Sequence, residues 1–465
     1  MNPDAPIKIG NDRQLFLDDF WMAEMDGVVR RLHEPELKER SIKGEHPWEA
    51  RLSAYHTAFH DGEKWRMYYQ CAGGSTTDPG ALNLQAYAES DDGITWNKPF
   101  LGLIEVDGSS ENNVVYAGPG SEMAVFLDEN PEAAEDERYK AVVRSPVGEE
   151  MTRVLYAMVS ADGLSWRRMS EDPVLTDGPF DSHNVPFWDK ILRKYVIYAR
   201  GAAGSGGPFK GGYRWIRRAT SEDFLEWTPL VSIETGETPA EQLYTNAYTP
   251  YDRAPGTYLM FPSRLVLERS PDPEWERDFG GGVSDIVFMS SRDGLNFDRS
   301  FKEAWIRPGP EEENWHERGI YVGSGIVQTT PEEMSLYSRQ HSRLPTTHLR
   351  RYALRTDGFV SVNAGFSGGE FVTRPLVFSG GELEMNYSTS AVGSVQVEIQ
   401  DVEGRPVSGF SLSDGSEKFG DEIEGVFRWD SEVDLNGLAG TTVKLRFVLK
   451  DADLYAFRFR DGEAR

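Results

Sequence analysis

The chain has 465 residues, 39% hydrophobic and 12% aromatic, with 46 Gly and 26 Pro, a make-up that suits many short strands and tight turns better than a helical bundle. Its 76 acidic against 49 basic side chains give a formal net charge of −27, a field that repels nucleic acid and anionic membrane surfaces, so neither is an expected partner. The single cysteine, Cys71, excludes an intrachain disulfide, and no Cys/His spacing of the zinc type occurs. Met1-Asn2-Pro3-Asp4 lacks the basic and apolar regions of a signal peptide, so the chain as written is read as cytoplasmic, or as periplasmic or secreted if a signal has been removed.

The first predicted strand, 14–20, has no repeat of its own. After it, one short pattern recurs: Ser90-Asp91-Asp92-Gly93-Ile94-Thr95-Trp96, Ser160-Ala161-Asp162-Gly163-Leu164-Ser165-Trp166, Ser221-Glu222-Asp223-Phe224-Leu225-Glu226-Trp227 and Ser291-Arg292-Asp293-Gly294-Leu295-Asn296-Phe297, with a degenerate fifth copy at Arg355-Thr356-Asp357-Gly358-Phe359. Asp-Gly supplies the positive φ of a tight hairpin and the Asp side chain caps its own turn, so each copy marks one hairpin. The spacing of about 60–70 residues fits one four-stranded sheet per copy.

Around each marker the same strand order repeats. First strands are expected over 56–61, 123–128, 184–189, 246–252 and 324–328, the first four ending at an acidic turn. Second strands follow over 65–70, 139–144, 195–200, 258–264 and 334–339, and third strands lead into the marker over 84–89, 154–159, 215–219, 286–290 and 349–354. Five copies predict a five-bladed β-propeller over 1–362, with the N-terminal strand joining the last blade to close the ring. Beyond it the marker stops, and alternating strands over 383–387, 394–399, 425–429, 443–449 and 454–459 predict a C-terminal β-sandwich over 363–465, read as a brace in preference to a sugar-binding module.

In a propeller the first strands line the channel, and its mouth collects the starts of first and third strands and the ends of second strands. Those places hold Trp48, Glu49 and Arg51 in copy one, Glu122 in copy two, Asp181 and His183 in copy three, Glu241, Tyr244 and Asn246 in copy four, and Trp315, Glu317 and Tyr321 in copy five. Second-strand ends add Gln70, Arg144, Arg200, Arg264 and Arg339, and a third-strand start adds Asp285. Carboxylates, arginines and aromatics converging on one pocket are what cleavage of a glycosidic bond requires. One acid protonates the leaving oxygen, a second carboxylate attacks or activates water, and aromatic faces hold the ring. Each residue also has a plainer role: a loop cap for Asp181, a solvated loop side chain for Glu241, a surface ion pair for Glu49, and interblade salt bridges or an anionic ligand for the arginines.

With five blades, mouth carboxylates and a trailing sandwich, the chain resembles the five-bladed propeller glycosidases of glycoside hydrolase families 32, 43, 62, 68 and 117. It is most similar to bacterial proteins labelled family 32-like. Phe180-Asp181-Ser182-His183-Asn184-Val185-Pro186-Phe187-Trp188-Asp189, Leu243-Tyr244-Thr245-Asn246-Ala247 and Lys450-Asp451-Ala452-Asp453-Leu454-Tyr455 carry the likeness. By position it implies Glu49 as nucleophile or base, Asp181 as the carboxylate that tunes the transition state, and Glu241 as acid, with Trp48, Glu122, Arg144, His183, Arg200, Tyr244, Asn246, Arg264, Asp285 and Trp315 binding substrate. The family 32 signatures Asn-Asp-Pro-Asn-Gly, Arg-Asp-Pro and Glu-Cys are absent. The expected activity is exo-acting hydrolysis of a terminal furanose, anhydro- or acidic sugar of an oligosaccharide; the alternatives are a glycoside phosphorylase and a carbohydrate-binding propeller without catalysis. No cofactor or metal is expected, although propellers of this kind sometimes hold a structural calcium.

Overall fold

The computed structural model describes residues 5–73, 83–118, 120–148, 152–203, 212–269, 281–316, 318–430 and 434–462. Among them the regular elements are β-strands and single 3-10 turns, so the protein is all-β, and no helix is long and apolar enough to cross a membrane. The chain divides into two compact units, Pro35–Pro250 with Gly256–Ala353, and Met1–Glu34 with Tyr251–Pro255 and Leu354–Arg465.

The larger unit is a succession of antiparallel sheet modules. Module one pairs Thr57–His60, Trp65–Ala72, Leu84–Ser90 and Val114–Ala117, with Arg51–Leu52 on the end of Trp65–Ala72. Module two is Ser121–Leu127, Tyr139–Val147, Thr152–Ser160 and Arg167–Arg168, and module three Val185–Asp189, Lys194–Ala203, Tyr213–Ser221 and Val231–Ser232. In module four the expected second strand is cut in two, because Pro262 offers no N–H to a ladder. Gln242–Leu243, Ser263–Val266 and Val283–Ile286 therefore form one small sheet, and Thr249–Pro250, Tyr258–Met260, Met289–Ser291 and Phe297–Asp298 another. Module five pairs Tyr321–Val322 and Val327–Gln328 with Glu333–Gln340, then His348–Arg355 and, on the outside, Glu36–Lys43.

The repeated marker is the hairpin the sequence calls for. Asp92 Oδ1 accepts from the N–H of Ile94 and Thr95, both at 2.8 Å, and Ser90 Oγ accepts from Gly93 N–H at 2.9 Å. Asp162, Asp223 and Asp293 repeat the arrangement. Partial burial works to raise the pKa of these aspartates, but the N–H donors outweigh it and all four sit below the usual carboxylate range.

Two further sets of contacts fix each module against the next. The aspartate closing a first strand accepts the phenol that opens the next module's second strand: Tyr139 Oη to Asp61 at 3.0 Å, Tyr195 Oη to Asp128 at 2.8 Å and Tyr258 Oη to Asp189 at 2.5 Å. Modules four and five are joined by Ser324 Oγ donating to the Tyr248 carbonyl at 2.6 Å. Module five returns to module one through a parallel bridge between Thr57 and Ser324 and through Tyr337 Oη donating to the Gly93 carbonyl. The contacts thus run from one module to the next and back to the first.

In the smaller unit Met22–Asp26, Gly369–Thr373, Lys444–Arg460, Val360–Ala364 and Val28–Leu32 lie side by side, and the 19-residue strand Glu382–Gln400 runs along Lys444–Arg460 with Asp421–Phe427 on its other edge. These strands are joined in one eight-stranded sheet. The expectation that residues 14–20 close the last module is overturned. Gln14–Leu15 pairs with Ala456 and Phe457, and Phe16 and Trp21 sink into the aromatic core of this unit against Phe371, Phe447 and Phe457. Burying those rings outweighs any gain at an edge strand, and the charged, largely exposed Glu36–Lys43 takes the closing place. The fifth marker copy also departs from the other four, since Asp357 is fully buried here and accepts from Tyr251 Oη at 2.5 Å while pairing with Arg13 at 3.2 Å and Arg253 at 3.0 Å.

Candidate active site

The larger unit holds a cavity of about 510 Å³ to which all five modules contribute. Module one supplies Arg51, Tyr55 and Gln70, module two Glu122, Arg144 and Arg153, module three Asp181, module four Tyr244, and module five Arg318, Tyr321, Arg339 and Arg343. Six arginines thus face two carboxylates among the described residues of a chain whose net charge is −27.

Local backbone geometry places these side chains. The ladder between Ser121–Leu127 and Tyr139–Val147 slips between Ser121 and Ala124, and Glu122, at φ 53°, turns into the cavity at that irregularity. There it meets the Arg144 guanidinium through both oxygens, the Nη2 contact measuring 3.0 Å. Burial acts to lower the Arg144 pKa, but Glu122 prevails and leaves it raised. Asp181 follows Phe180, at φ 37°, in a loop braced by Asn184 Nδ2 donating to the Ser182 carbonyl at 2.7 Å and Ser182 Oγ donating to the Tyr244 carbonyl at 3.1 Å. Its carboxylate bridges Arg153 at 3.0 Å and Arg200 at 2.8 Å. Of the twelve non-glycine residues with left-handed backbone among those described, Tyr55, Glu122, Arg318 and Arg343 line this one cavity. Strain concentrated in one place marks a site whose geometry is held by its surroundings.

Tyrosines form the floor. Tyr321 lies 5.4 Å from Tyr244 and 6.1 Å from Tyr55, ring centre to ring centre, and the Arg339 guanidinium sits 5.0 Å over the Tyr321 ring. Burial pushes the Tyr55 and Tyr321 phenols well above their ordinary pKa, so both keep their protons at neutral pH. Arg200, itself behind the wall, lies 4.8 Å over the Tyr244 ring.

The residues anticipated from sequence are divided by this geometry. Glu122, Arg144, Asp181 and Tyr244 line the cavity and Arg200 backs Asp181. Glu49 does not reach it: the 3-10 turn Pro47–Glu49 carries the side chain inward, wholly buried, where it accepts from Tyr69 Oη at 2.5 Å and pairs with Lys98 at 2.9 Å. Glu241 is held outside by Arg264 at 3.1 Å and Arg299 at 2.5 Å, with Asp285 on the same Arg264, so Glu241, Arg264 and Asp285 form an ion-pair cluster of module four. Trp48 is stacked on His46, ring centres 4.5 Å apart, and donates to Asn113 at 2.9 Å, while Trp315 donates to the Gly309 carbonyl at 2.7 Å; neither lines the cavity. Asn246 braces the backbone, its amide donating to the carbonyls of His183 and Tyr198. His183 lies buried behind the wall, where burial pushes its pKa to about 3 and leaves it neutral at pH 7, no source of a proton. Glu317 lies outside the described residues.

Tyr55, Arg153, Arg318 and Arg343 were not anticipated. Arg153 is the second residue of the third strand of its module, a position the repeat points to, and Tyr55 lies two residues before a first strand. Arg318 and Arg343 come from loops that no periodicity announces.

No family model matches the chain, and no curated protein matches it. Among solved structures it is similar to a glycoside hydrolase at 14% identity, over 69% of this chain and 92% of that one, with a TM-score of 0.47. It is similar to a glycosyl hydrolase from Bacteroides ovatus at 13%, over 74% and 93%, TM-score 0.43. A third is a glycoside hydrolase family 43 arabinoxylan arabinofuranohydrolase from Bacillus subtilis, at 12% over 91% and 99%, TM-score 0.40. Likeness at this level does not carry the substrates or chemistry of those proteins to this chain.

Proposed function

We propose that the five modules are the blades of a five-bladed β-propeller, that the smaller unit is an accessory sandwich-like brace, and that the cavity is the active site of an exo-acting glycoside hydrolase. The observation that carries the reading is the meeting of Asp181, Glu122 and three tyrosines in one cavity built from all five modules. Its volume of about 510 Å³ falls in the range of roughly 300–1,000 Å³ usual for small-molecule sites. A pocket of that size, in place of a long groove, suits removal of a terminal sugar.

Hydrolysis needs a base or nucleophile at the anomeric carbon and an acid at the leaving oxygen. Both cavity carboxylates are held by guanidinium groups, Glu122 by Arg144 and Asp181 by Arg153 and Arg200. Asp181 is the catalytic carboxylate, held in position by Arg153 and Arg200, and Glu122 is the second, oriented by Arg144.

The test is turnover of a broad oligosaccharide panel, read as released sugar, by the wild type and by Asp181→Asn. The reading expects the variant to fold cooperatively, at a lowered melting temperature because Arg200 loses its partner, and to lose activity by two orders of magnitude or more; undiminished turnover by Asp181→Asn would refute it. The arginine-rich wall favours a second reading, phosphorolysis, in which phosphate replaces water. Turnover that stops when inorganic phosphate is removed would establish that alternative.

A further inference from the structure

Arg339 is not used by the cleavage chemistry, and its surroundings are unusual. The side chain is 6% exposed and lines the cavity, yet among the described residues no carboxylate pairs with it. Its Nη2 donates to the Arg318 carbonyl at 2.8 Å, and its Nε has no hydrogen-bond partner among the described residues. Burial pulls its pKa down to about 10, and the neighbouring phenols only partly offset this, so the group still carries its charge at pH 7. A buried charge without a counter-ion is costly and is retained where something else supplies the opposite charge.

A second orphan lies in the same cavity. Among the described residues Arg51 Nε is buried without a hydrogen-bond partner and Arg51 enters no ion pair. Glu122 and Asp181 are already committed to Arg144, Arg153 and Arg200, so neither supplies the missing counter-charge. The surplus positive charge also sits on an aromatic floor, with Arg339 over the Tyr321 ring and the Tyr244 and Tyr55 rings beside it. A bare inorganic anion would answer the charge and leave the rings uncovered. A sugar ring bearing a carboxylate answers both, since guanidinium groups recognise carboxylates and the C–H face of a ring packs on aromatics.

We propose that the cavity is specific for an acidic sugar, its carboxylate held by Arg339 and Arg51 and its ring lying against Tyr55 and Tyr244. This deepens the glycosidase reading and rests on it for the identity of the cavity as a sugar site. Phosphate or sulfate on a sugar shares the same oxyanion chemistry, and the experiment separates these sources.

The experiment is isothermal titration of the full chain with glucuronate and galacturonate, with glucose and galactose as neutral counterparts, and with glucose 6-phosphate and inorganic phosphate. An acidic sugar should bind at least tenfold more tightly than its neutral counterpart. Arg339→Gln and, separately, Arg51→Gln should each weaken that binding at least tenfold and leave the neutral sugar within threefold, with melting curves showing that the variants fold. If Arg339→Gln does not fold, Arg51→Gln decides alone. Equal affinity for acidic and neutral sugars, uronate affinity untouched by Arg51→Gln, or tight binding of phosphate or the sugar phosphate with none of the uronates would each overturn the proposal. Uronate binding without cleavage of any glycan would leave the subsite standing and remove the hydrolase; cleavage of neutral glycans with no acidic preference would do the reverse.

Discussion

Replacing Gly93 by alanine tests the return of module five to module one. Gly93 sits at φ +68° in the turn of module one, and a Cβ built there would lie 2.2 Å from Val327 Cγ1 of module five. Holding an alanine in left-handed backbone costs about 1–2 kcal/mol, and forcing a methyl into filled space costs about 1–3 kcal/mol. Gly108 separates the two contributions, because at φ +82° it has nothing within 4 Å of the added Cβ, so Gly108→Ala carries only the backbone cost. Urea denaturation should therefore show Gly93→Ala less stable than Gly108→Ala by about 1–3 kcal/mol. In a Val327→Ala background, where the clashing methyl is gone, that excess should disappear, the signature of a direct pairwise interaction. Equal destabilisation by the two glycine substitutions, or an excess that survives Val327→Ala, would show that the first and fifth modules do not pack as described.

Tyr258→Phe should remove one phenol from Asp189, which among the described residues keeps the backbone donors Ile191 and Leu192. The expected loss is about 1.5–3 kcal/mol, the range for a hydrogen bond to a charged group, read as a lower denaturation midpoint. Glu241→Gln should destabilise the larger unit by breaking its pairing with the buried Arg299, while the folded protein keeps its turnover on whatever glycan Asp181→Asn fails to cleave.

The turns of the first four modules were legible because the Ser-x-Asp turn is a local device, in which Ser90 and Asp92 satisfy backbone groups within their own turn and no distant residue is needed to recognise them. The Asp–Tyr links were half legible. Asp61, Asp128 and Asp189 close first strands and Tyr139, Tyr195 and Tyr258 open second strands, but that each aspartate takes the phenol of the following module depends on register between neighbours. The closing strand was misread because 14–20 alternates like a strand and Glu36–Lys43 is charged and largely exposed. Only the packing of Phe16 and Trp21 reveals which edge each one serves.

The candidate site was legible where strand periodicity sets side-chain direction, and lost where local backbone overrides it. Arg144 lies on a regular ladder. Glu122 turns inward at a register slip, and Glu49, on a 3-10 turn, points into the core and away from the cavity. Arg318 and Arg343 reach the cavity from left-handed loop positions, which leave no trace in a hydrophobic pattern.

The most direct test of the account is a crystal structure of Asp181→Asn grown with an oligosaccharide that the wild type turns over. The account places the terminal ring in the cavity, bounded by Glu122, the substituted residue 181 and Tyr321. A ring bound beside Glu241 or Trp315, or on the smaller unit with the cavity empty, would contradict it.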